Sequence, residues 1–217
     1  MSSFAAQRLN MVESQLRASD IGDPRILSAM SDIPRETFVP APKRSLAYAE
    51  LALEVAPGRY LLEPRTLARL IALAEVGRGD RVLDVGPATG YSSAVLSRLS
   101  QSVVALEEDA GLAAFAKEAL ASAGDNRVRV VCGPHDRGVA NEGPFDVIFL
   151  NGAVPEPPKV LLGQLAEGGR LVAPVCRGAD GKAWRFQREE GHFGGVIGFD
   201  APAPQLVGFQ NTVGFVF

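Results

Sequence analysis

Apolar positions along this chain change their period several times, and each change marks an element. From Phe4 to Arg17 the residues Leu9, Val12 and Leu16 recur at helical spacing. Asp23-Pro24 then offers a capping side chain followed by proline at the first helical position, so two helices open the chain. Residues 33–42 hold Pro34, Pro40 and Pro42, which predicts an extended, irregular linker. Residues 51–55 read as a short strand ended by Pro57-Gly58. Pro64 opens a helix with Leu67, Leu70, Ile71 and Ala74 on one face.

Strand and helix alternate from there. Residues 81–85, 103–106, 128–132, 145–150 and 170–175 are short apolar runs that read as strands one to five. Helical patterns at 92–99, 112–120 and 159–165 separate them. Strands this apolar need cover on both faces, so the expected fold is α/β: a doubly wound, mostly parallel sheet with right-handed crossovers. After Pro174 the pattern alternates between turn signals, around Trp184, Phe186, Val196 and Phe199, and predicts antiparallel strands ending in one at 212–217. Trp184 and Phe186 alternate along such a strand and are assigned to packing.

The chain has 217 residues, 47% hydrophobic and 22% charged, enough for one large domain without staples. Its net charge of −3 includes no basic run to neutralise successive phosphates, so nucleic acid is not an expected partner. Cys132 and Cys176 lack metal-ligand spacing and are expected to be buried free thiols; no metal site is expected. No apolar stretch approaches the roughly 18 residues of a membrane span, and the first residues lack a leader pattern. A cytoplasmic protein is therefore expected, with its oligomeric state open.

The turn after strand one carries the chemistry: Asp84-Val85-Gly86-Pro87-Ala88-Thr89-Gly90-Tyr91. A loop there lies near the topological switch point of a doubly wound sheet, where ligands settle. Glycine allows a sharp turn and close approach of a ligand to the backbone. Glu107 closes strand two, where a carboxylate accepts both ribose hydroxyls of a nucleoside cofactor. A dinucleotide is the competing ligand, but the spacing lacks the third glycine of G-x-G-x-x-G.

Several segments together resemble the protein-L-isoaspartate O-methyltransferase family, from about Met11 to Val175. They are Met11-Val12-Glu13-Ser14-Gln15-Leu16, Ile33-Pro34-Arg35-Glu36-Thr37-Phe38-Val39-Pro40, Ala47-Tyr48 and the glycine loop, where Ala88 stands in place of a usual glycine. The resemblance implies a Rossmann-like methyltransferase fold binding S-adenosylmethionine, which has no pyrophosphate and needs no third glycine. It implies a helical extension with the substrate loop at 1–63 and a cofactor-binding domain at 64–217. Cofactor contacts would come from Asp84, Gly86, Pro87, Ala88, Thr89, Gly90, Glu107, Glu108, Pro134, His135 and Asn151.

The same resemblance sets Gly58-Arg59-Tyr60-Leu61-Leu62-Glu63-Pro64 against the family's substrate loop, G-Q-T-I-S-x-P. Tyr60 and Leu62 replace a threonine and a serine, and Gly133-Pro134-His135 replaces G-D-G, with Asp136 as a substitute acceptor. Asn151-Gly152-Ala153-Val154-Pro155 takes the place of T-A-A-x-P. The implied activity is methylation of an isoaspartyl carboxylate on damaged protein or peptide. Two alternatives share the scaffold: another methyl acceptor, and cofactor binding without transfer. Arg59, Tyr60 and Leu62 are the substrate-loop candidates, and a guanidinium at Arg59 suits a substrate carboxylate, unless it is simply a solvated loop residue.

Overall fold

The structure is a computed structural model that describes residues 3–19, 21–177 and 180–209. The strand expected at 212–217 lies outside the described residues. Helix α1 (Phe4–Asn10) runs into a π-helical segment, Met11–Leu16, and α2 (Pro24–Asp32) starts as expected, with the Asp23 side chain accepting from the Arg25 N–H. The proline-rich linker is not extended. It winds into two 3₁₀ segments, Arg35–Phe38 and Ala41–Leu46, because Pro34 and Pro40 stand at their N-caps and Pro42 falls where a first helical turn needs no N–H.

A two-stranded antiparallel hairpin follows, β1 (Leu53–Ala56) and β2 (Arg59–Leu61), and α3 (Pro64–Ala74) leads into the main sheet. That sheet holds β3 (Arg81–Val85), β4 (Ser102–Glu107), β5 (Val128–Cys132), β6 (Phe145–Leu150), β7 (Leu165–Arg177), β8 (Asp180–Glu189) and β9 (His192–Asp200). Their order is β5-β4-β3-β6-β7-β8-β9. The first five pair in parallel; β8 and β9 pair antiparallel. Helices α4 (Tyr91–Leu99), α5 (Ala110–Ser122) and α6 (Lys159–Leu162) lie between strands. The last is shorter than expected, and Leu165 begins β7 rather than ending α6.

Side-chain alternation buries the sheet on both faces. Val82, Val103, Val147, Phe149 and Val172 join one apolar cluster with residues of α2, α3, α4 and the π-helical segment. Leu83, Val85, Val104, Leu106, Ile148, Leu150 and Leu171 join the second, with Leu161, Leu162 and Leu165. The N-terminal helices therefore share one continuous core with the sheet. Asp84 and Glu107 fall on the period-2 positions that face the first cluster, so both carboxylates point to the side covered by α4. The cysteines are free, but neither is buried as expected: Cys132, at the end of the edge strand β5, is exposed, and Cys176, near the end of β7, is half-buried. Among the described residues no helix is long and apolar enough to cross a membrane.

Candidate functional site

The chain reverses its sheet order between β3 and β6, and the predicted site residues gather at the carboxyl ends of β3, β4, β5 and β6. Gly86 turns at φ +68° and Gly90 at +96°, and residues 86–90 are all buried. Ala88, the residue in place of a glycine, also takes a left-handed φ of +52°. Thr89 donates its hydroxyl to the Phe38 carbonyl at 2.6 Å, which ties the loop to the N-terminal linker.

The Asp84 carboxylate is held by protein donors on both oxygens. One carboxylate oxygen accepts the hydroxyls of Ser92 and Ser93, at 2.7 and 2.6 Å, and the other accepts from the Asn151 amide. Burial pushes its carboxyl up to about 6, against those hydrogen bonds, and the nearby Glu107 charge adds to the rise. Asp84 thus orients the start of α4, and the two serines are site residues that the sequence reading missed. Adjacent hydroxyls in the first helical turn after a strand-end aspartate were the available signal.

Glu107 is fully buried at the end of β4. Its Oε2 accepts the Ala88 N–H and its Oε1 the Asp109 N–H, each at 3.0 Å. Arg59 closes on the same carboxylate, Nη1 to Oε1 at 2.6 Å and Nη2 to Oε2 at 2.5 Å. Arg59 is therefore not a solvated loop residue: it is buried, and its fork closes on a buried carboxylate. Leu62 is likewise buried in the first apolar cluster rather than presented to a substrate. Tyr60 pairs across the hairpin with Glu54.

His135 lies wholly buried beyond β5, while Pro134 before it is exposed. The His135 Nε2 accepts the Glu108 N–H at 3.1 Å and Nδ1 stands 2.9 Å from the Val207 carbonyl. Those partners assign the proton to Nδ1, and burial lowers the imidazole pKa, so the ring is neutral. Glu108 places its Oε2 3.3 Å from the same Nδ1. Asp136 instead sits by Arg137, at 3.7 Å. Among the described residues no His, Cys, Asp and Glu cluster is arranged to hold a metal.

Residues 7–195 match the family described as protein-L-isoaspartate(D-aspartate) O-methyltransferase. The chain belongs to this family. A protein-L-isoaspartate O-methyltransferase of Koribacter versatilis is 42% identical over 175 residues, covering 81% of this chain and 79% of that protein. One from Methanoculleus marisnigri is 41% identical over 169 residues, covering 78% and 77%. A solved structure of a protein-L-isoaspartate O-methyltransferase superposes with a TM-score of 0.82 at 26% identity, over 94% of this chain and 67% of that one. A putative family member from Plasmodium falciparum, in complex with S-adenosyl-L-homocysteine, shares the fold at a TM-score of 0.79 and 19% identity, over 96% and 100%.

Family membership leaves one buried group to be explained. Arg35 has 1% exposure, donates Nε to the Ala47 carbonyl at 2.7 Å and Nη2 to the Leu62 carbonyl at 2.8 Å, and lies 4.6 Å over the Tyr91 ring. It joins the linker, the end of the hairpin and the first residue of α4. Arg35 falls within the family-like segment 33–40, but its partners lie 12 and 27 residues away, so no local pattern in the sequence marks its role.

Proposed function

We propose that this chain transfers the methyl group of S-adenosylmethionine to the side-chain carboxylate of an isoaspartyl residue in a protein or peptide. The observation that carries the cofactor half is the buried Glu107 carboxylate beside the Gly86 turn. A Cβ on Gly86 would meet the Leu206 side chain at 2.4 Å, so the missing side chain of this glycine lets another group lie directly against the turn, and Leu206 takes that place. A buried carboxylate one strand away suits ribose hydroxyls, and the donor set fits a nucleoside cofactor. Glu107 would hold the ribose, Gly86 and Ala88 would border the cofactor, and His135 and Glu108 would stand at its far edge.

Family membership carries the acceptor half. When bound, the cofactor supplies a methyl group already activated on a sulfonium. An acceptor carboxylate with a pKa of about 4 is ionised at neutral pH, so the chain need supply no general base. Its residues instead orient the reactants and exclude water. Asp84, Ser92, Ser93 and Asn151 fix the turn, Arg35 holds the hairpin end through the Leu62 carbonyl, and the linker closes over Thr89.

The test is transfer of a radiolabelled methyl group to an isoaspartyl peptide and to its aspartyl isomer. Label on the isoaspartyl peptide alone is the expected result. No label on it, at saturating cofactor, removes this reading.

A further inference from the structure

Leu206 is 3% exposed although it follows the run Ala201-Pro202-Ala203-Pro204-Gln205 beyond the last strand. Its side chain lies against Gly86, and its backbone passes close to Gly152 at the end of β6. The Leu206 N–H donates to the Ala153 carbonyl and the Ala153 N–H to the Pro204 carbonyl, each at 2.8 Å, as a one-residue parallel bridge. One residue on, the Val207 carbonyl meets the His135 ring at 2.9 Å. Gly208 then runs past Glu108 and His135: a Cβ there would meet Glu108 Oε2 at 3.0 Å and His135 Cβ at 3.3 Å. Phe209 packs half-buried on the second apolar cluster.

This path crosses the ends of β6, β3, β4 and β5 in turn, along the line on which a nucleoside ligand would lie. Arg59 occupies the remaining determinant, since both Glu107 oxygens already accept its guanidinium. We propose that residues 204–209, with Arg59, are an internal occupant of the cofactor site, and that the chain alternates between this closed state and an open state that binds cofactor. The inference rests on the cofactor reading above and adds regulation of that site.

Physical chemistry supports an exchangeable strap rather than a fixed wall. The segment carries no charge, and among the described contacts its hold is two apolar side chains, Leu206 and the half-buried Phe209, two bridge hydrogen bonds and one bond to a neutral imidazole. Each polar group it covers is left satisfied, so the closed state has no buried group unpaired at Glu107 or His135. Apparent affinity for the cofactor is then the intrinsic affinity reduced by the fraction of chains in the open state. Weakening the strap alone raises that fraction.

Two variants weaken it in different ways. Leu206→Ala removes the side chain that lies against Gly86. Gly208→Ala acts at an exposed position where φ is +93°, a conformation alanine strongly disfavours, and leaves the core untouched. Calorimetric titration with S-adenosylhomocysteine should show tightening of about tenfold for Leu206→Ala and about threefold for Gly208→Ala. Hydrogen exchange on the unmodified full-length protein should show the Leu206 and Ala153 amides protected without ligand and released when ligand saturates the site. Unchanged or weaker binding by both variants, with both amides still protected in the complex, overturns the strap and leaves the cofactor reading standing. No binding by any of the three proteins at millimolar ligand overturns the cofactor reading and the strap together.

Discussion

Arg59 and Glu107 meet fork to fork across 48 residues of chain, both buried, in a pair that joins the β1–β2 hairpin to the end of β4. The pair makes the hairpin and the end of β4 one electrostatic unit. Removing one partner of a buried pair is costly because the other charge stays uncompensated.

Arg59→Gln tests that unit. The neutral amide keeps one hydrogen bond to Glu107 and lacks the charge, so the ligand-free variant should lose about 3 kcal/mol of stability in urea unfolding. A carboxylate freed from its cation should bind ribose hydroxyls better, so S-adenosylhomocysteine should restore more stability to the variant than it adds to the parent. Equal ligand-induced shifts in the two proteins would show that Arg59 does not compete for Glu107.

Ala88 stands at φ +52°, where a Cβ costs about 1–2 kcal/mol. Glycine removes that strain but loses more chain entropy on folding, by about 0.4–1 kcal/mol. Ala88→Gly should therefore stabilise the protein by about 0.5–1 kcal/mol while the Glu107 contact from its N–H is kept. A destabilised variant would mean that the alanine methyl packs more favourably than its backbone is strained.

Asp84 gives the pH dependence. Its carboxyl rises from 3.8 to about 6 on folding, first through burial. Between about pH 4 and pH 6 the folded chain holds a proton that the unfolded chain has released, so the group loses stability as pH rises through that window. A shift of about two units corresponds to about 3 kcal/mol. Measured against Asp84→Asn by urea unfolding, the parent should lose about that much between pH 4 and 6 and change little above pH 7. A flat or rising difference would contradict the assignment.

Much of the frame was legible in the sequence. The expected boundaries of β3, β5 and β6 match the structure, because short apolar runs between helical patterns report burial directly. Asp84, Gly86 and Glu107 were legible as a group since strand ends and turns are local features. What stayed hidden is pairing at long range. Arg59 and Glu107, Arg35 and Leu62, and Leu206 and Gly86 are each far apart in sequence and share no periodicity. The segment 204–209 has neither helical nor strand period, so nothing in it announced burial. The linker misled for a different reason: prolines that forbid a long helix also favour the first turn of a 3₁₀ segment.

The most direct measurement sets the isoaspartyl and aspartyl isomers of one peptide in competition for the full-length enzyme with S-adenosylmethionine. Mass spectrometry after chromatographic separation then gives the ratio of their kcat/KM values. The account expects methyl ester on the isoaspartyl isomer in excess of about a hundredfold. Equal labelling of the two isomers, or ester on the aspartyl isomer alone, would contradict it.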